Sequence, residues 1–249
     1  MLTRMTRFLD GESPFQDVAP VLRAADKFEV IYALKWAKGR LELLFPDDIN
    51  DIPRQPRPYA AQAVRLGEDC GVDFIIKPAM YDLLRQTTHG FISPTDRNSG
   101  NGTFAELTDK HVFQLIKARM VLLEAWDDVV CNPAAFAQDG TEPSNKCSCA
   151  RLYESNDQDE SKSRKPATSK WEVFSNAVFS RSDADGAKSI FDIGRLDIMH
   201  GMKLLINASW DDLECPTCLK IRKRGWRTKR AAIWDRLDGP LELVTYIHD

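Results

Sequence analysis

Apolar residues recur at three- and four-residue spacing along most of the chain, and that periodicity predicts helices. Val18, Val21, Leu22 and Ala25 form a first stripe, with Asp17 placed to supply an N-cap oxygen. A tight break at Lys27-Phe-Glu-Val30 precedes a second stripe through Leu34, Ala37, Leu41 and Leu44. Phe45-Pro46 ends it, because proline disfavours helical geometry at the preceding residue. Asp47–Pro58, with three prolines and alternating charges, reads as a connector. Tyr59–Cys70 carries Ala60, Ala63, Val64 and Leu66 on one side, and Gly71 suits a C-terminal cap. Pro78 fits the first turn of the next helix, which holds Met80, Leu83 and Leu84. Ser93–Gly102 is loop-like.

The longest periodic segment starts at Thr108 as a cap and reaches about Val130, with Val112, Leu115, Ile116, Met120, Leu123 and Trp126 expected inside. The pattern then stops. Ser155–Lys165 has no apolar residue, so residues 151–168 read as a flexible polar insertion that cannot offset its ordering entropy. Trp171, Phe174, Val178 and Phe179 fit another helix. Leu196, Met199, Met202 and Leu205 favour helix over Ile190–Ile206. A final helix is expected over about Asp212–Arg236, ending before Gly239-Pro240, with an extended tail over Leu241–Ile247. The fold class is mainly α, a helical array with a flexible insertion.

Composition narrows this picture modestly. The 249 residues carry 34 Lys and Arg against 37 Asp and Glu, a formal net charge of -3. That argues against a chain-wide polycationic or polyacidic role while leaving a local patch open. No apolar run has the length of a signal peptide's core or a spanning helix, so the expected setting is intracellular, cytoplasmic or nuclear, with no membrane partner.

Six cysteines are too few for a disulfide-dense scaffold, but their spacing is informative. Cys147-Ser-Cys149 and Cys215-Pro-Thr-Cys218 are two close pairs about 65 residues apart. Four thiolates so arranged can close a tetrahedral structural zinc site, with Cys131 a substitute ligand. Unliganded intracellular thiols are the alternative. A redox pair at Cys215 and Cys218 is a third, though no βαβ pattern surrounds it. Cys70 reads as packing.

The run Lys220, Arg222, Lys223, Arg224, Arg227, Lys229 and Arg230 places seven cations within eleven residues. Such a run could contact phosphates. At helical spacing it spreads around the circumference, while Leu219, Trp226, Ile233 and Leu237 line a buried stripe, which fits a solvated face on a packed helix. The four histidines are scattered, and no nucleophile elbow, phosphate loop or H-E-x-x-H motif occurs. No catalytic set assembles from the sequence, so the chain is expected not to be an enzyme.

Val21-Leu-Arg-Ala-Ala-Asp-Lys-Phe-Glu-Val30 resembles the C-terminal helical part of a BTB/POZ domain, where an A-A-D-K-Y/F-x-V run joins two helices. Leu22, Ala24, Ala25, Asp26, Lys27, Phe28 and Val30 match, and Leu34 and Leu41 occupy the expected apolar positions. The downstream layout resembles BTB proteins of mushroom-forming fungi, in which a cysteine-containing loop precedes a "C-x-x-C … W-x-x-L-P" helix. Cys215, Cys218, Trp234 and Leu237 match, and Asp238-Gly-Pro240 departs from its ending. The short match spans about residues 7–45. Only about 20 residues precede the Val21–Val30 run, so the chain resembles a BTB protein lacking the N-terminal half of that domain.

The resemblance implies residues 1–46 as a partial BTB-like segment and 47–249 as a helical extension. It implies a non-enzymatic protein-interaction module with an unidentified protein partner, and Leu22, Phe28, Leu34 and Leu41 are expected in the core. The alternative is a zinc-stabilised nucleic-acid or chromatin-associated protein using the basic final helix. A thiol oxidoreductase is a third class.

Overall fold

The computed structural model describes residues 14–86, 107–131, 170–181, 188–211 and 216–243. In chain order the helices are α1 (Phe15–Lys27), α2 (Ile31–Leu44), α3 (Ala60–Cys70), a 3-10 turn (Asp73–Ile75), α4 (Ile76–Gln86) and α5 (Asp109–Cys131). Then follow α6 (Lys170–Ser180), α7 (Ile190–Leu196), α8 (Ile198–Asn207), α9 (Pro216–Arg236) and α10 (Asp238–Leu241). Among the described residues there is no strand, and the chain is mainly helical as the periodicity predicts. The loop at 93–102 and the insertion at 151–168 lie outside the described residues. Two compact units result: Met1–Arg119 with Arg236–Asp249, and Met120–Asp235.

In the first unit α1 packs on α2 and α3, and α3 packs on α4. Val18, Leu22 and Ala25 of the first stripe are buried, as are Ala37 and Leu41 of the second, whereas Val21, Leu34 and Leu44 are half-buried. Asp17 is not the cap. Pro14 occupies that position with extended backbone, and Asp17 sits in the first turn, where its charge suits the helix dipole.

The break between α1 and α2 is a Schellman turn. The Val30 amide donates to the Ala25 carbonyl (2.9 Å) and the Glu29 amide to that of Asp26 (3.3 Å). Glu29 takes φ 54°, the left-handed region that glycine normally fills at this position. Glu29→Gly is therefore expected to stabilise the chain by about 0.5–1 kcal/mol in urea unfolding, by relieving that strain. An unchanged or lower midpoint would show that Glu29 sits there without penalty.

Gly71 caps α3 at φ 60°, as the sequence suggests. Gly67 on the same helix allows close passage of the following chain, since a Cβ there would lie 2.7 Å from Ile76 Cγ1. The connector expected over residues 47–58 is non-helical and is tied down by ions. Asp82 of α4, fully buried, pairs with both Arg57 and Arg85. Arg57 also donates to the Leu44 carbonyl (2.7 Å), and Arg85 to that of Pro53 (2.7 Å).

α5 starts on a reciprocal cap. Thr108 Oγ1 accepts from the His111 amide (3.4 Å), and His111 Nδ1 accepts from the Thr108 amide (3.1 Å). This is a capping box with histidine in the place of glutamate. Because Nδ1 accepts, Nε2 carries the proton and donates to Glu68 of α3 at 2.8 Å. The inner face of α5 differs in part from the expected one. Leu115 and Trp126 are buried as expected, Val112, Ile116 and Leu123 are half-buried, and Met120 is 67% exposed, while Ala118, Leu122, Ala125 and Val129 are buried as well. The Val121-Leu-Leu123 run makes this helix apolar on several sides, so the stripe was ambiguous by about one residue.

In the second unit the segment expected as one helix over 190–206 is two. Asp197 separates α7 from α8 and caps α8, its Oδ1 accepting from the His200 amide (3.0 Å). Met199, Met202 and Leu205 are buried and Leu196 is half-buried. α7 packs on α6 and α8. Trp210 is fully buried, donates from Nε1 to the Leu205 carbonyl (2.9 Å), and lies 6.1 Å from Trp226. The Arg181 guanidinium stands over the Trp210 ring at 4.3 Å. Leu219, Trp226, Ile233 and Leu237 are all buried, so the stripe read for the final helix holds. The helix ends at Arg236 as expected, but Gly239 and Pro240 belong to the short α10. Leu241 is its last residue rather than the start of an extended tail.

Candidate functional site

Of the four cysteines proposed for zinc, Cys147, Cys149 and Cys215 lie outside the described residues. Cys218 falls in the third position of α9. Among the described residues, no three His, Cys, Asp or Glu side chains gather as a metal site would require. Cys70 is a free thiol on α3. Burial pushes that thiol above its ordinary value of 9.0, and Asp26 and Asp69 push it further, while Arg23 and Lys38 pull it down. It therefore stays protonated at neutral pH and is a poor nucleophile.

The α1–α2 corner is unusual. Phe28, expected in the core, is 70% exposed, because α1 ends at Lys27 and the Schellman turn carries the next residue off the buried stripe. Beside it stand Val30, Ile31 and Tyr32, the last two 75% and 90% exposed. Leu43 is also exposed. At about 100° per residue it returns to within about 20° of Tyr32, on the same line of α2. Gly39 lies on that line, and a Cβ built on it meets nothing within 4 Å. The opposite side of α2 holds the buried Ala37 and Leu41. α2 is thus apolar on two faces, of which α1 covers one.

No sequence reading singled out Tyr32, Ile31 or Leu43. The available signal was the apolar character of Ile31-Tyr-Ala-Leu34 on all sides, together with a glycine inside a helix, which costs about 1 kcal/mol relative to alanine. Clusters of large exposed apolar side chains mark interaction surfaces more often than scattered ones do.

The basic run of α9 separates into two sets. Four of its cations are engaged within the second unit. Lys223 Nζ donates to the Ala208 carbonyl at 2.9 Å, and Arg230 Nε to that of Met199 at 3.2 Å. Lys229 pairs with Asp128, and the Arg222 guanidinium lies 5.9 Å from the Trp226 ring centre. Lys220, Arg224 and Arg227 are exposed and make no bond among the described residues. The circumferential spread expected from the sequence is thus what divides the run.

Among the described residues no helix is long and apolar enough to cross a membrane. Compared with known protein families, curated proteins and solved structures, the chain matches none of them.

Proposed function

We propose that this chain is a non-enzymatic protein-interaction module of BTB-like descent, engaging a protein partner through the α1–α2 corner. The observation that carries the reading is the exposure of Phe28, Ile31 and Tyr32, large apolar side chains left in water where α1 turns into α2, with Leu43 about three turns further along α2. Leaving such side chains exposed forfeits about 1.5–3 kcal/mol each relative to burial, and a partner surface recovers it. The strained Glu29 supports the same reading, since backbone held in sparsely populated regions concentrates at functional corners. The residues of the BTB-like run, Leu22–Val30, build this corner, Leu22 and Ala25 from inside and Phe28 and Val30 from outside. A structural zinc on Cys147, Cys149, Cys215 and Cys218 is part of the proposal on spacing alone.

A photo-crosslinking residue at Tyr32 tests this in living cells. The expected result is a discrete protein adduct that disappears with Ile31→Asp and does not form from the exposed Asp51. A chain that gives no adduct at Tyr32, or one equally strong at Asp51, does not work through this corner.

A further inference from the structure

We propose that the exposed cation ladder of α9, Lys220, Arg224 and Arg227, docks an acidic helical segment of a protein partner. The three residues stand at i, i+4 and i+7, within about 60° of arc and over about 10 Å of helix axis. They are what remains of the basic run after Arg222, Lys223, Lys229 and Arg230 are engaged at home. Their own helix offers no counter-charge within a turn of them, because its one acidic residue, Asp235, lies eight residues beyond Arg227. Like charges four apart destabilise a helix, so Lys220 and Arg224 oppose the fold they sit on until something anionic arrives.

The surroundings of the ladder suit a helix. Ala231 is exposed on the next turn of the same line and keeps that face low, and Ile221, 44% exposed, provides an apolar contact beside the charges. Carboxylates recurring every three and four residues on a partner helix would meet the cations in register, as charged pairs flank a coiled-coil seam. A nucleic acid fits less well. The whole chain is at net charge -3, with a sequence pI near 5.9, so it has no broad positive field to draw in a polyanion. The ladder does not depend on the α1–α2 corner, and its test leaves α1 and α2 unchanged.

The test uses the full chain and fluorescence anisotropy. The probes are a labelled amphipathic peptide of about 20 residues, long enough to be helical, with Glu at three- and four-residue spacing. Its Gln-substituted analogue and a labelled single-stranded DNA of similar length complete the set. The acidic peptide should bind, weaken as salt rises from about 50 to about 300 mM, and lose at least about tenfold in affinity with Lys220→Glu, Arg224→Glu and Arg227→Glu combined. The exposed Lys203→Glu should leave binding intact, and the Gln peptide should not bind. Should the triple variant melt early, Arg224→Gln alone should still weaken binding several-fold. No binding of the acidic peptide, binding indifferent to these variants, or tighter binding of the DNA overturns the proposal.

Discussion

Gly194→Ala is expected to destabilise the chain by about 3 kcal/mol, near the upper end of what overpacking a core costs. α7 crosses the second half of α5 at this glycine, and a Cβ there would overlap the six-membered ring of the Trp126 indole. Gly201 of α8 completes the crossing, since its own Cβ would run into the backbone of Gly194. Neither neighbour can give way cheaply. Trp126 is fully buried, and a helix backbone shifts only as a body. The atoms in conflict are Cε2, Cζ2 and Cη2 of the indole, and the outer two, Cζ2 and Cη2, extend beyond the reach of a phenyl ring. Trp126→Phe in the Gly194→Ala background should therefore recover at least about 1 kcal/mol, a coupling that urea unfolding of the two single variants and the double would read directly. Phenylalanine also removes the buried Nε1, which meets no acceptor among the described residues. Additive effects would place the strain elsewhere than on the ring.

Asp82→Ala is expected to cost about 4 kcal/mol, because it leaves two buried cations without their anion. Burial pulls the Arg57 guanidinium below its ordinary range, and the charge and hydrogen bond of Asp82 push back, while Arg85 lowers it further. Removing the carboxylate removes the opposing influence and keeps the others. The loss should also release the connector, since Arg57 and Arg85 hold it through Leu44, Pro53 and Arg54 carbonyls. Faster amide exchange over residues 47–58 would accompany the lower unfolding midpoint. Replacing the triad together, as Arg57→Met, Asp82→Leu and Arg85→Met, should cost far less than Asp82→Ala, because apolar side chains of similar length leave no charge behind. A single variant no worse than the triple would mean that water already reaches the two guanidiniums.

These two positions and the apolar corner divide what local pattern carries from what it does not. Helix period, proline stops and capping glycines are short-range effects. The buried stripe of α1 at Val18, Leu22 and Ala25, the cap at Gly71 and the inner line of α9 from Leu219 to Leu237 were accordingly legible from spacing. Where a helix is apolar on more than one side, spacing supplies the period but not the phase. Met120 was expected inside for that reason, and Phe28 because the BTB-like resemblance implied it; packing left both in water. The Asp82 pairing with Arg57 spans 25 residues and begins in a proline-rich connector that has no period to read.

The sequence alone therefore determined that this protein is helical, where most of its helices begin and end, and which residues of the basic run share a side. Only the tertiary structure decided which cations were already engaged, which glycines sit at a crossing, and which apolar face of α2 is left uncovered. The reason is physical. A helix follows from interactions within about four residues along the chain, whereas burial depends on what the rest of the chain brings alongside.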